Sequence, residues 1–371
     1  MKIALLNPTV ILRRPIVELA YHLFKKGNDI QILSVFDPSS KWAPAHYQKL
    51  NVKIIKLPSK EFKSILWSVP RFKSYRILWS VMKDVDILHI WAPYYIIAIL
   101  PLIFSFFIRK KSRPKIILTF DTIPGYSFQF ENIQDFLMKI YHAIIGSWLF
   151  RRADHCTLYG SQLFYFARKA HLGNNFRILP TGVDIVSMQT PVRRPGEFII
   201  LFIGILNTRK GVPTLLHALE TLHKKNIDFS ANIIGDGPQR EEYENLCRSL
   251  GIEASVKFIG RTANVKEYYE KAHVLTLPSL GEGLPGVVME AMSYSVPVIT
   301  SDIPCLRELI PDKSVGILTP PGDARALTDS LQYLYNNEPY RLRIAQNGRK
   351  YIEKYSWNKI VPQYEELYRT I

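Results

Sequence analysis

Cysteine is scarce. Cys156, Cys247 and Cys305 are scattered over 371 residues with no Cys-x-x-Cys pair. That excludes a disulfide framework and a thiolate zinc site, and it fits a reducing compartment. The nine histidines show no His-x-His or His-x-x-x-His pairing, so no metal is expected. There is no Gly-x-Ser-x-Gly elbow and no Walker loop, and Asn7-Pro8-Thr9 stands where a nicotinamide-type glycine loop would follow the first apolar run. A signal peptide is not expected, because Met1–Asn7 is too short an apolar run and reads as a first strand. No internal repeat or low-complexity segment is apparent.

Positive charge is abundant and unevenly placed. Residues 1–185 hold 26 Lys and Arg against 11 Asp and Glu, whereas residues 186–371 hold 22 against 21. Nearly all of the net +16 lies in the first half, so an anionic partner is expected there: a membrane surface, a phosphorylated acceptor or a nucleic acid. Two segments bear on the choice. Lys60–Trp79 interleaves cations and aromatics, as interfacial amphipathic helices do; an ordinary surface helix and a single-strand nucleic-acid platform are its alternatives. Ile90–Ile108 carries no charge over nineteen positions and ends in Arg109-Lys110-Lys111. Its length matches a membrane span. Pro93 and Pro101 interrupt it, and the part after Pro93 reads as a buried or interface-dipping helix, so a peripheral association is expected.

Short apolar runs alternate with amphipathic stretches throughout, which predicts parallel sheets with helices on both faces. At 371 residues two domains are expected, with Gln189–Gly196 as the polar linker. The expected division is 1–188, 189–350 and a closing helix at 351–371. Ligands of such sheets sit at the carboxyl ends of the strands, so the cleft between the domains is the default site.

The richest stretch is Pro278–Met292. A strand, a Gly/Pro loop and a helix follow one another, with Glu282 on the loop and Glu290 on the helix. Such a helix N-terminus presents free amides to a diphosphate. Glu282 suits sugar hydroxyls and Glu290 suits a ribose diol, so the spacing fits a nucleotide-sugar. As isolated glutamates they would read as a solvated carboxylate and a helix-dipole partner; the flanking Pro-Ser, Gly-rich turn and Ala-Met favour the ligand reading. Gly204 to Gly211 forms a strand end, a loop and a helix start, with Arg209 and Lys210 as diphosphate cations. Gly235 is a place for close backbone approach to ligand, Asp236 is turn chemistry, and Arg261 borders a nucleobase.

These motifs resemble the retaining glycosyltransferases of family four. Gly204–Gly211 is similar to the family's Gly-Arg-Leu…Lys-Gly segment, Gly235–Pro238 to its Gly-Asp-Gly-Pro turn, and Pro278–Met292 to its Pro-Ser…Glu-Gly…Glu-Ala-Met signature. Pro180–Asp184 and Pro297–Asp302 resemble two further segments. Tyr355–Tyr368 resembles the family's C-terminal helix. The resemblance implies an α/β chain of the GT-B fold, with two doubly wound Rossmann-like domains facing a cleft and a C-terminal helix crossing back to the first. It implies Glu282, Lys210 and Asp121 as catalytic residues. It places donor contacts at Gly204, Arg209, Gly235, Arg261, Gly283, Leu284, Pro285, Gly286, Val287 and Glu290. No cofactor and no metal are implied, and the leaving phosphate itself would take the acceptor proton. Two departures stand out: Ile205 replaces the usual arginine, with Arg209 as its substitute, and Thr119-Phe120-Asp121 lacks the usual histidine. The expected activity is retaining transfer of a hexose from a UDP- or GDP-sugar to a lipid-linked or membrane-surface glycan acceptor. It would take place peripherally on the cytoplasmic face, with no nucleic acid as partner. A nucleotide-sugar epimerase and a non-catalytic nucleotide-sugar binder remain as alternatives.

Overall fold

Strands form where the apolar runs are unbroken. In β1 (Lys2–Asn7), Ile3 to Leu6 are fully buried, as expected of a parallel strand covered on both faces. The computed structural model describes residues 1–9, 12–36, 52–62, 65–109, 111–125, 133–172, 176–186 and 196–371. The first half continues with β2 (Asp29–Ser34), β3 (Lys53–Lys56), β4 (Ser59–Phe62), β5 (Ile65–Pro70), β6 (Ile87–Trp91), β7 (Lys115–Phe120), β8 (His155–Leu158) and β9 (Phe176–Ile178). The second half supplies β10 (Ile199–Ile203), β11 (Ser230–Ile234), β12 (Val256–Gly260), β13 (Val274–Leu277), β14 (Val298–Ser301) and β15 (Ile317–Thr319).

Two units result, Met1–Gly182 with Trp357–Ile371, and Val183–Ser356. The first holds a seven-stranded sheet in the order β3-β2-β1-β6-β7-β8-β9, the second a six-stranded sheet in the order β12-β11-β10-β13-β14-β15. Both are parallel throughout. In each, the chain starts at an interior strand, winds one way and then reverses. The reversal lies between β1 and β6 in one unit and between β10 and β13 in the other. Sheets of this topology bind ligands at the carboxyl ends of the strands beside that reversal.

The chain changes units at Gly182/Val183 and again at Ser356/Trp357. It does not return at 351, because the helix Glu338–Ile352 stays on the second unit: Gly348 packs against Val315 and Met292, and Arg349 donates to the Val186 carbonyl at 2.8 Å. The expected linker, apart from Gly196, lies outside the described residues. The last helix, Trp357–Thr370, belongs to the first unit, as the GT-B pattern requires. Its buried residues Trp357, Ile360, Val361, Tyr364, Leu367 and Tyr368 recur at helical spacing, and Trp357 stacks on His22 at 5.3 Å.

Tyr368 closes a buried polar chain. The His89 ring lies 2.6 Å from the Tyr368 hydroxyl and 2.5 Å from Thr119 Oγ1, which in turn lies 2.6 Å from Thr157 Oγ1. Burial drives the His89 pKa well below its ordinary 6.5, so the ring is neutral when folded. Unfolding exposes a ring that binds a proton below 6.5; the unfolded state then holds more protons, and stability falls as pH drops through that value. Tyr368→Phe leaves one ring nitrogen without its partner. It is expected to cost about 1–3 kcal/mol in denaturant unfolding.

The segment Lys60–Trp79 is not one helix. It forms the antiparallel hairpin β4–β5 and then the helix Phe72–Val81. Pro70 ends the strand and, lacking an amide, could not sit inside a helix without losing a hydrogen bond. Tyr75 and Trp79 turn toward Phe104, with ring centroids 6.4 and 5.5 Å away, as the aromatics of an ordinary surface helix do. In Ile90–Ile108, Pro101 lies inside the helix Ile96–Phe104, whose residues Ile97, Ala98 and Leu100 to Leu102 are buried. Among the described residues no helix is long and apolar enough to cross a membrane.

Candidate functional site

The second unit gathers its candidate residues at the carboxyl ends of β10 and β13. Lys210 ends a single 3-10 turn, Thr208–Lys210, after β10, and Glu282 sits on the loop after β13. Their side chains meet at 2.5 Å, both nearly buried, across the reversal point of the sheet. The two loops are laced together: Leu280 donates to the Arg209 carbonyl at 2.8 Å and the Arg209 guanidinium donates to the Gly281 carbonyl at 3.2 Å. Gly211 has φ +66°, and a Cβ there would fall 2.0 Å from the Pro278 carbonyl oxygen. Only glycine lets the loops approach this closely.

Burial pushes the Glu282 carboxyl up, but the charges of Lys210 and Arg209 outweigh it and hold the group below its ordinary value. Glu282 is therefore an anion at neutral pH, held between two cations. Arg209 stands beside the carboxylate loop and its charge helps to lower the Glu282 pKa, while Ile205 is 45 % exposed.

The loop Gly281–Gly286 has the spacing Gly-x-Gly-x-x-Gly and runs from a strand into the helix Gly286–Ser293. Pro285 is the N-cap residue, and Val288 and Met289 turn back to its carbonyl. The amides of Gly286 and Val287 have no carbonyl within the helix and face outward from its first turn. Leu284 is nearly buried and anchors the loop beside Gly283. Glu290, in the second turn, accepts from the Tyr269 hydroxyl at 3.1 Å, and Tyr269 stacks on Tyr294 at 5.1 Å. Tyr269 is a positioning residue that the sequence reading missed; it comes from the helix before β13, with nothing in its local sequence to mark it.

At Gly235, with φ +135°, a Cβ would lie 1.8 Å from the Gly204 carbonyl oxygen. Its role is to let the loops after β10 and β11 touch. Asp236 accepts from the Gly237 amide at 2.9 Å, as turn chemistry requires. Gly204 has Lys210 Cδ 3.6 Å from its would-be Cβ and so leaves room for the lysine stem. Arg261 is exposed beyond the end of β12.

Asp121 belongs to the first unit, at the carboxyl end of β7, and pairs with Arg13 from the loop after β1. Its Oδ1 is buried and has no hydrogen-bond partner. Desolvation opposes the Arg13 charge, but Asp121 more than compensates and raises the guanidinium pKa. Burial raises the pKa of the neighbouring Tyr94, whose hydroxyl lies 3.2 Å from Thr122 Oγ1. Ala92, just past β6, holds φ 46°, a strained value for a residue with a side chain. Phe120 points the other way, fully buried edge-on to Phe150 at 5.3 Å, so this position lines the core. Arg13 was not marked by the sequence; its partner is 108 residues away. The chain does carry one Asp-x-Asp, Asp84-Val85-Asp86. It sits at the amino end of β6 bonded to Lys2, on the edge opposite the ligand-binding ends.

Residues 186–351 match the family described as glycosyl transferases group 1. The phosphatidyl-myo-inositol mannosyltransferase of Mycobacterium leprae is 26% identical over 96% of this chain and 92% of its own length. An undecaprenol-linked-glycan α-1,4-N-acetyl-D-galactosaminyltransferase of Campylobacter jejuni is 35% identical over 46% of this chain and 48% of its own. The chain spans about half the length of most of the curated relatives it matches. Among solved structures, Anabaena Alr3699/HepE in complex with UDP-glucose superposes with a TM-score of 0.80 at 15% identity, covering all of both chains.

Proposed function

We propose that this chain, whose residues 186–351 match glycosyl transferases group 1, transfers a hexose, with retention, from a UDP- or GDP-sugar to a lipid-linked or membrane-surface glycan. The observation that carries the reading is the Lys210–Glu282 pair beside the open amides of Gly286 and Val287, with Glu290 one turn on. Diphosphate oxygens fit the amides and the cations Lys210 and Arg209. The ribose diol fits the Glu290 carboxylate, and sugar hydroxyls fit Glu282. In the reaction the bond from C1 to the diphosphate oxygen breaks while the acceptor oxygen attacks C1 from the same face. The acceptor proton passes to the leaving phosphate. Lys210 and the amides stabilise the charge growing on that phosphate, which is where fixed donors help most. These two cations take the part a divalent ion would otherwise play, so the reaction is read as metal-independent.

The acceptor class draws support from the two named relatives, one acting on an inositol lipid and one on an undecaprenol-linked glycan. The first unit would receive the acceptor, with the unpartnered Asp121 oxygen, oriented by Arg13, taking one of its hydroxyls.

The test is a donor screen. UDP-glucose, UDP-N-acetylglucosamine, UDP-galactose and GDP-mannose are offered with lipid extract, with and without EDTA. One donor should release its nucleotide diphosphate whether or not EDTA is present. Glu290→Ala should weaken binding of that donor about 10- to 100-fold, the worth of a charged hydrogen bond or two. Tyr269→Phe should weaken it only a few-fold, because the carboxylate remains and loses only its orienting partner. Tight nucleotide binding without turnover of any donor would replace this reading with a non-catalytic binder, and conversion of a donor to its epimer without acceptor would replace it with an epimerase.

A further inference from the structure

The first unit carries an exposed apolar face that neither its core nor its candidate site uses. A continuous helical segment runs as α-helix over Ile133–Ile140, as a π-helix over Tyr141–Gly146 and as α-helix over Ser147–Phe150. Phe136 is 62% exposed, Leu137 55%, Ile144 68% and Trp148 57%, with Ile140 also open. Residues 140, 144 and 148 are spaced by four. In a plain α-helix of 3.6 residues per turn that spacing drifts around the surface. The wider i→i+5 turn between them compensates, so the three side chains stay in one row. Beside the row, Phe106 stacks on Trp148 at 4.8 Å, and Phe107 is 75% exposed. The face is thus assembled from two segments, and Arg152 ties them: it donates to Ser105 and lies over the Phe106 ring at 4.5 Å.

The surroundings are basic. Arg109, Lys111, Lys139 and Arg151 are exposed, and Asp135 is the one acidic residue in 103–113 and 133–153. The nearest carboxylate in sequence to the end of the helix, Asp154, is occupied by Arg113 at 2.6 and 3.0 Å. Large apolar side chains with a tryptophan, ringed by cations, match the chemistry of an anionic bilayer surface: acyl chains below, headgroup phosphates around. A protein partner would need acidic residues matched to each cation. A bilayer supplies that charge everywhere.

We propose that Phe106, Phe107 and the row Phe136–Leu137–Ile140–Ile144–Trp148 form the surface by which the first unit dips into anionic lipid, with Lys139, Arg109 and Arg151 on the headgroups. This deepens the reading of a membrane-borne acceptor and rests on it, but its test needs no turnover. Full-length protein is floated with vesicles of phosphatidylcholine alone or with added phosphatidylglycerol. Binding should require the anionic lipid and weaken as salt is raised. Ile144→Asn with Ile140→Asn should lower the bound fraction about tenfold, Lys139→Glu should lower it on anionic vesicles, and Phe72→Ser should leave it unchanged. Nucleotide binding by all variants, measured in solution, should match the parent, which separates a lost membrane surface from a lost fold. Unaltered flotation of the double variant would overturn the proposal. So would a concentration-dependent dimer of the parent that the double variant abolishes, which would make the face a contact between two copies.

Discussion

Glu282→Gln is expected to reduce donor turnover by about 10²–10³-fold, on the order of losing one preorganised polar contact in a transition state, while Lys210→Ala is expected to cost about 3–5 kcal/mol of stability. The asymmetry follows from burial. Lys210 and Glu282 neutralise each other inside the loops, and deleting the lysine leaves a carboxylate with most of its surface out of water. Glutamine keeps the shape and a hydrogen-bond acceptor for Lys210 but leaves that cation unneutralised, so it too should cost stability, though less than the alanine. Replacing both, as Lys210→Met with Glu282→Leu, should recover most of the lost stability, since apolar replacements of a buried pair are often neutral or better. It should recover no turnover. Denaturant unfolding of the four proteins, combined with nucleotide release, therefore separates what the pair does for the fold from what it does for chemistry. The pH sign agrees: the Glu282 pKa is lowered in the folded state, so its stabilisation is complete above its ordinary value of 4.5 and is lost as pH falls through the folded value.

Gly235→Ala should be among the most damaging single methyl groups that can be added to this chain, at about 4 kcal/mol or more, seen as insoluble or partly unfolded protein. The new Cβ would meet the Gly204 carbonyl oxygen at 1.8 Å, and backbone cannot step aside as a side-chain tip can. The residue also holds φ +135°, where side chains are rarely found. Gly251 and Gly322 provide the comparison. Both have positive φ but nothing within 4 Å of a would-be Cβ. Alanine at either should cost only about 1–2 kcal/mol, the left-handed penalty alone. If the three substitutions cost the same, close approach of the β10 and β11 loops is not what Gly235 provides.

The parallel sheets were legible because each strand is a short apolar run between polar ones, a pattern written locally. Pro278–Met292 was legible for the same reason: strand, glycine loop and helix follow one another in sequence. What depends on distant residues was not. The Lys210–Glu282 contact joins positions 72 apart, and the sequence motif assigned the two to different parts of a ligand without pairing them. Arg13 and Tyr269 were invisible because their partners lie on other elements. The hairpin at Ser59–Pro70 was hidden by a composition that favours strand and helix about equally, until Pro70 is weighed. The π-helical turn at Tyr141–Gly146 carries no local signal. Without it the row Ile140–Ile144–Trp148 does not read as one face, and attention goes instead to Lys60–Trp79, whose helical rings turn toward Phe104.

The central claim is that the carboxyl end of β10 and β13 holds a nucleotide diphosphate. Calorimetric titration of UDP and of GDP into the parent protein and into the folded Lys210→Met, Glu282→Leu double variant tests it directly. The account predicts one-to-one binding of one nucleotide by the parent, retained in EDTA, and no detectable binding by the variant. Equal affinity in both proteins would contradict it and place the nucleotide elsewhere on the chain.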